Sequence, residues 1–131
     1  MDSIRKILFK ILGLKLYLRV ISRIYVSLIM KGKLKKEYPE IHYLSAIVRE
    51  GYVCIDIGAN LGYYSSVLSS IVKKTGHVYA VEPIPLFGKI WKKNVKVSRY
   101  SNLTLLPYAL GLKKKQYKWA YLKEMVLFIM E

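Results

Sequence analysis

Apolar positions along this chain switch between two periods, and the switching predicts its elements. Residues 4–30 repeat at helical spacing, through Ile4, Ile7, Leu8, Ile11 and Leu12, then Val20, Ile21, Ile24, Leu28 and Ile29. Gly13 predicts a break in that helix. Residues 40–50 predict a second helix, with Ile41, Leu44 and Ile47–Val48 as its apolar face. Then the period changes. Residues 52–57 form a continuous apolar run interrupted only by Asp56 and bounded by Gly51 and Gly58, which predicts a strand buried on both faces. Helical spacing returns over 63–72, with Val67, Leu68, Ile71 and Val72 facing inward, and stops at Lys73-Lys74-Thr75-Gly76. Cations followed by glycine suit the negative end of a helix and its cap. A second strand is predicted at 77–81, and a further helix at 86–97 with Phe87, Ile90, Trp91 and Val95 as core and a lysine face of Lys89, Lys92, Lys93 and Lys96 in solvent. A third strand follows at 103–106. Right-handed crossovers make these strands parallel neighbours. The expected fold class is α/β: a partial doubly wound sheet of three parallel strands with crossover helices, preceded by a basic helix.

The chemistry sits at the ends of the first two strands. Asp56 closes the first, and Gly58-Ala59-Asn60-Leu61-Gly62 turns the chain into the following helix. Glycine admits backbone conformations closed to other residues, Asn60 tolerates the left-handed region, and a helix N-terminus attracts anionic ligand groups. Glu82 ends the second strand, 20 residues after Gly62, the spacing at which an acid accepts hydrogen bonds from ribose hydroxyls. The turn departs from G-x-G-x-x-G, since Asn60 stands where a middle glycine would sit. An acid inside the turn suits a ligand with a cationic amine. That favours S-adenosyl-L-methionine (SAM) over a dinucleotide.

The run Cys54-Ile55-Asp56-Ile57-Gly58-Ala59-Asn60-Leu61-Gly62-Tyr63-Tyr64-Ser65 resembles the first motif of the FkbM family of SAM-dependent methyltransferases. Val78-Tyr79-Ala80-Val81-Glu82-Pro83 resembles its second motif, and Asn94, Asn102-Leu103-Thr104-Leu105 and Ala109-Leu110-Gly111 its third stretch. The resemblance runs from about residue 40 to residue 111. It implies a Rossmann-like methyltransferase fold and methyl transfer to a hydroxyl, often of a sugar-containing small molecule. On that reading Asp56 holds the methionyl amine, and Gly58, Ala59, Asn60 and Gly62 bring backbone groups to the methionyl carboxylate and ribose. Glu82 accepts both ribose hydroxyls, and the stretch including Ala109 and Leu110 flanks the adenine. No residue stands out as a general base, and His42 reads as structural. No metal site is expected. Cys54, the single cysteine, allows no internal disulfide and reads as a small buried hydrophobe.

Charge changes the picture at the head of the chain. The formal net charge is +15, and residues 1–36 hold ten Lys/Arg against Asp2 alone, while residues 37–111 hold eight against five acids. Basic residues interrupt residues 4–30 too often for a membrane span or a cleaved signal peptide. Two readings stand: an interfacial helix lying on an anionic membrane, or a helix packed on the sheet or a partner with its cations in solvent. Nucleic acid is a weaker third, because the head does not interleave aromatics with its cations. The expected location is cytoplasmic, peripheral to the inner face of the membrane.

The 131 residues make at most one domain and are short for a complete doubly wound sheet. The expected parts are a basic helix and linker (1–36), a partial SAM-binding domain (37–111) and a divergent tail (112–131) that reads as helical. The family pattern stops after Gly111, where Leu112 stands in place of the usual acid and Lys113-Lys114-Lys115 follows. The expectation is a truncated form whose tail follows a frameshift at the lysine run. Reading the other two DNA frames would test it. A bare sheet edge would then promote self-association. The competing readings are a non-catalytic, basic membrane-associated protein with a vestigial nucleotide-binding fold and, weakest, a dinucleotide oxidoreductase.

Overall fold

The structure is a computed structural model and describes residues 2–111. The expected tail, 112–131, lies outside the described residues. The elements run α1 (Asp2–Met30), α2 (Pro39–Ile47), β1 (Val53–Ile57), α3 (Tyr63–Val72), β2 (His77–Val81), α4 (Pro85–Asn94), a short 3-10 turn (Val95–Val97) and β3 (Leu103–Leu106). The strands form one sheet in the order β1-β2-β3, parallel throughout. Val53 pairs with His77 and Ile57 with Val81, while Val78 pairs with Leu103 and Val81 with Leu106. This is the partial sheet of three parallel strands that the strand–helix repeats predict, and the partial Rossmann-like fold that the family resemblance implies.

Both crossovers advance the same way across the sheet, so α3 and α4 lie on one face. Leu68 and Val72 of α3 pack on Val78, Cys54 and Leu103. Trp91 and Val95 pack on Ala80, Leu103 and Leu105. Gly88 allows the close approach of α4 to β3, since a Cβ there would stand 3.2 Å from a methyl of Leu105. The opposite face corrects the expectation that β1 is buried twice. Val53 and Ile57 are each 67% exposed, and Ile55 and Tyr79 also face solvent. A continuous apolar run shows that a strand can be covered on both sides, not which elements supply the cover.

α1 is bent rather than straight. Gly13 takes φ 66° and ψ 167°, outside helical space. The two halves then fold against each other: Arg5 Nη2 donates to Tyr25 Oη at 2.6 Å, and the rings of Phe9 and Tyr17 meet edge to face at 5.6 Å. In a straight helix residues 5 and 25 would stand ~30 Å apart, beyond the reach of both side chains. The second half is built into the domain, burying Tyr17, Ser22, Val26 and Ile29. Asn94, at the end of α4, donates from Nδ2 to Ser22 Oγ and to the carbonyl of Leu61, both at 2.8 Å. Arg23 Nη1 donates to the carbonyls of Lys93 and Asn94 at 3.0 and 3.3 Å, a cation on the negative end of α4. Of the two readings of the head, packing on the domain describes this half.

Candidate functional site

The site is built where β1 and β2 end. Gly58, Asn60 and Gly62 all have positive φ, at 75°, 46° and 93°. The turn needs this conformation three times, which explains two glycines and an asparagine. Gly62 has a second reason: a Cβ there would stand 3.1 Å from both Trp91 and Val95, so the turn is pressed against α4. A Cβ on Gly58 would meet nothing within 4 Å, and that side of the turn is open.

The amides of this turn are already engaged. Gly58 N and Ala59 N both donate to the carbonyl of Val81, at 2.9 and 3.0 Å, and Gly62 N donates to Ala59 O at 2.9 Å. Asn60 N donates to Glu82 Oε2 at 2.9 Å, and Ile84 N donates to Glu82 Oε1 at 2.8 Å. Glu82 is only 5% exposed. Its carboxylate therefore braces the glycine turn against the start of α4 from within. Each oxygen carries a second lone pair, so two acceptor positions remain.

Asp56 sits half-buried beside the first turn of α3. Ser65 donates its hydroxyl to Asp56 Oδ2 at 2.5 Å, and Trp91 Nε1 donates to Ser65 Oγ at 2.8 Å. The chain Trp91–Ser65–Asp56 thus fixes the acid from the core outward. Desolvation raises the Asp56 carboxyl above its ordinary value, and hydrogen bonding from Ser65 pulls the other way. Among the described residues the single ion pair is Lys73–Glu50 at the surface, at 2.6 Å, so no cation neutralises Asp56 within the described chain. A desolvated, unpaired carboxylate at a strand end is suited to a cationic ligand group. On this ground the residues present fit the methionyl ammonium of SAM.

Neighbouring parts contribute differently. Tyr64, the second residue of α3, donates its hydroxyl to Glu40 of α2 and ties that helix beside the turn. Burial first, and then that carboxylate, push the Tyr64 hydroxyl up to about 12. Tyr63 stacks on Tyr25 of α1 at 6.2 Å, and its hydroxyl is also raised, mainly by burial. Ser66 makes only a local bond, to the carbonyl of Gly62 at 2.7 Å. Ala109 and Leu110 lie exposed in the segment after β3. His42 is half-buried on α2, and its Nε2 has no hydrogen-bond partner among the described residues. Cys54 packs in the core below Leu68, and burial pushes its thiol up. Among the described residues no group of His, Cys, Asp and Glu is arranged to hold a metal ion. The sequence carried no signal for the Ser65–Trp91 contact, because residues 26 positions apart meet only through the packing of α3 on α4.

The family model for protein-L-isoaspartate(D-aspartate) O-methyltransferase matches residues 36–109, from the basic linker into the segment after β3. A protein-L-isoaspartate O-methyltransferase of Methanosarcina mazei is 44% identical over 57 residues, which cover 44% of this chain and 24% of that protein. Its namesake in Methanothrix thermoacetophila is 34% identical over 59 residues, covering 45% and 28%. The chain thus spans about a quarter of the length of these relatives. Among solved structures, a putative rRNA-methylase from Clostridium thermocellum superposes with a TM-score of 0.51 at 19% identity, over 54% of this chain and 39% of that one, a likeness of fold. These matches point away from the FkbM resemblance of the motifs while keeping the methyltransferase fold and the SAM cofactor that it implied. The chain belongs to the protein-L-isoaspartate O-methyltransferase family.

Proposed function

We propose that this chain holds SAM for an O-methyltransferase acting on L-isoaspartyl residues of proteins. The observation that best supports cofactor binding is Asp56: a desolvated carboxylate with no cation partner among the described residues, at a strand end beside an open glycine turn. The acceptor follows from the family and from the name its relatives carry. When bound, SAM supplies a methyl group activated on a sulfonium sulfur. The chain's own residues position it. Asp56 pairs the methionyl ammonium, and Glu82 offers its two remaining lone pairs to ribose hydroxyls. Gly58 keeps the open side of the turn free of side chain. Ala109 and Leu110 offer backbone groups near the adenine.

A carboxylate acceptor also suits a site in which no general base stands out. An isoaspartyl carboxyl is ionised at neutral pH and needs no proton removed, whereas a sugar hydroxyl does. The hydroxyl acceptor rests on the FkbM-like motifs alone.

The test is calorimetric titration of the full chain with SAM, beside Asp56→Asn. Loss of one charge-assisted contact in a partly buried site corresponds to roughly 1.5–3 kcal/mol, so the variant should bind about 10- to 100-fold more weakly. A folded chain that shows no saturable heat, or a variant that binds as wild type, would refute the cofactor assignment. Labelled methyl should pass to an isoaspartyl peptide and not to its aspartyl isomer. Label appearing on a carbohydrate instead would restore the hydroxyl acceptor.

A further inference from the structure

A groove between α1 and α4 lies outside the candidate cofactor site. Its floor is apolar, formed by Leu12 and Leu16 of α1 with Ile90 of α4. Its walls are cationic: Lys15 and Arg19 from α1 face Lys89, Lys92 and Lys93 from α4 and Lys96 from the 3-10 turn. The cavity measures about 720 Å³ and continues past Val20 and Ile24 into a second of about 670 Å³, which shares Arg19, Lys93 and Lys96. Among the described residues no carboxylate lines either part. The lysine face of α4 therefore does more than dissolve the helix in water. It joins the cations of α1 around a strip of exposed hydrocarbon, since Leu16, Val20 and Ile24 are all open to solvent. The first half of α1 repeats this composition, with Ile4, Ile7 and Ile11 exposed on one face and Lys6 and Lys10 between them.

We propose that this face docks on a membrane surface carrying anionic headgroups. Two needs must be met together, a negative partner for six cations and an apolar partner for the aliphatic strip. The headgroup–acyl boundary supplies both, with Lys and Arg stems lying along the hydrocarbon and their charges at the phosphates. Nucleic acid meets only the first. Among the described residues no aromatic side chain lines the groove to stack a base, and the exposed leucine and isoleucine would stay wet against a phosphate backbone. No helix among the described residues is long and apolar enough to cross a membrane, so the mode is docking on the surface.

The full chain would be sedimented with vesicles of phosphatidylcholine alone and with 30% phosphatidylglycerol. It should partition onto the anionic vesicles and not the neutral ones. Each cation near such a surface contributes about 1 kcal/mol, or roughly fivefold. The triple variant Lys15→Gln, Arg19→Gln, Lys92→Gln should therefore lose roughly 100-fold in partitioning. All three side chains are exposed, and Lys15→Arg with Lys92→Arg should retain binding. Leu16→Gln with Val20→Gln should remove the fraction of binding that survives high salt. Equal binding to neutral vesicles, or a triple variant that binds anionic vesicles as wild type does, would overturn the proposal. So would tighter binding to a single-stranded RNA at the same ionic strength, abolished by the same triple variant.

Discussion

Ser65→Ala should weaken the fold in a way that depends on pH. The wild-type hydroxyl is fully buried, donates to Asp56 and accepts from Trp91 Nε1. Its removal has two separable effects. The indole N–H is stranded in the core, at a cost of about 1–3 kcal/mol that does not depend on ionisation. Asp56 loses a hydrogen bond to its charged form, which is about 1 kcal/mol stronger than one to a neutral group. Together the loss at neutral pH is roughly 2–4 kcal/mol. The sign with pH follows from Asp56. Its folded value lies above its ordinary 3.8, so its ionisation opposes folding. That cost is absent below about 3.8, grows as pH rises from there, and is complete above the folded value. Without Ser65 the folded value rises further and the cost at pH 7 grows, while the stranded indole weighs equally at both ends. Urea unfolding followed by far-ultraviolet circular dichroism should give a loss about 1 kcal/mol larger at pH 7 than at pH 4. In an Asp56→Asn background, where a neutral amide replaces the carboxylate, this difference should vanish. A loss equal at the two pH values, or a difference that persists in that background, would refute the Ser65–Asp56 coupling.

Two further substitutions probe the frame around the site. Asn94→Ala strands the carbonyl of Leu61 and the hydroxyl of Ser22 and leaves a cavity, so urea unfolding should show a loss of about 2–4 kcal/mol. Ser22→Ala should add less in that background than alone, and full additivity would mean the two side chains are not coupled. Lys73→Gly should stabilise: Lys73 holds φ 55° and ψ −158°, a region open mainly to glycine, and relief of about 1 kcal/mol should outweigh an exposed ion pair with Glu50. A lower melting temperature for Lys73→Gly would show that no strain is stored there.

The sequence was legible wherever structure is decided locally. The helix at 63–72 and the strands at 77–81 and 103–106 stand where period and caps place them, because glycine and lysine end α3 within a few residues of sequence. The 86–97 helix ends at Asn94 and tightens into a 3-10 turn, with Arg23 of α1 on its last carbonyls. No local pattern announces a cap borrowed from 70 residues away. Of the site, the positive-φ turn was readable from Gly58, Asn60 and Gly62, since few residues fit that backbone. The inward set of Glu82 was not, because spacing locates an acid at a strand end without saying which way its carboxylate turns. The motifs give the SAM-dependent methyltransferase class but not the family, for a related reason. Asp56, the glycine turn and Glu82 are the residues proposed to hold the cofactor, and a motif made of them ranks families by a shared cofactor site rather than by what they methylate.

The link from Ser22 through Asn94 to the carbonyl of Leu61 joins the head helix, α4 and the glycine turn at a single buried amide. The head is therefore not a cassette that recombination can swap between proteins. A crossover in the basic linker would bring in a helix lacking a serine at the right height and an arginine for the end of α4, and the turn would lose its brace. The history of this chain should show its first thirty residues and its glycine turn inherited as one unit, with changes at Ser22 and Asn94 occurring in pairs.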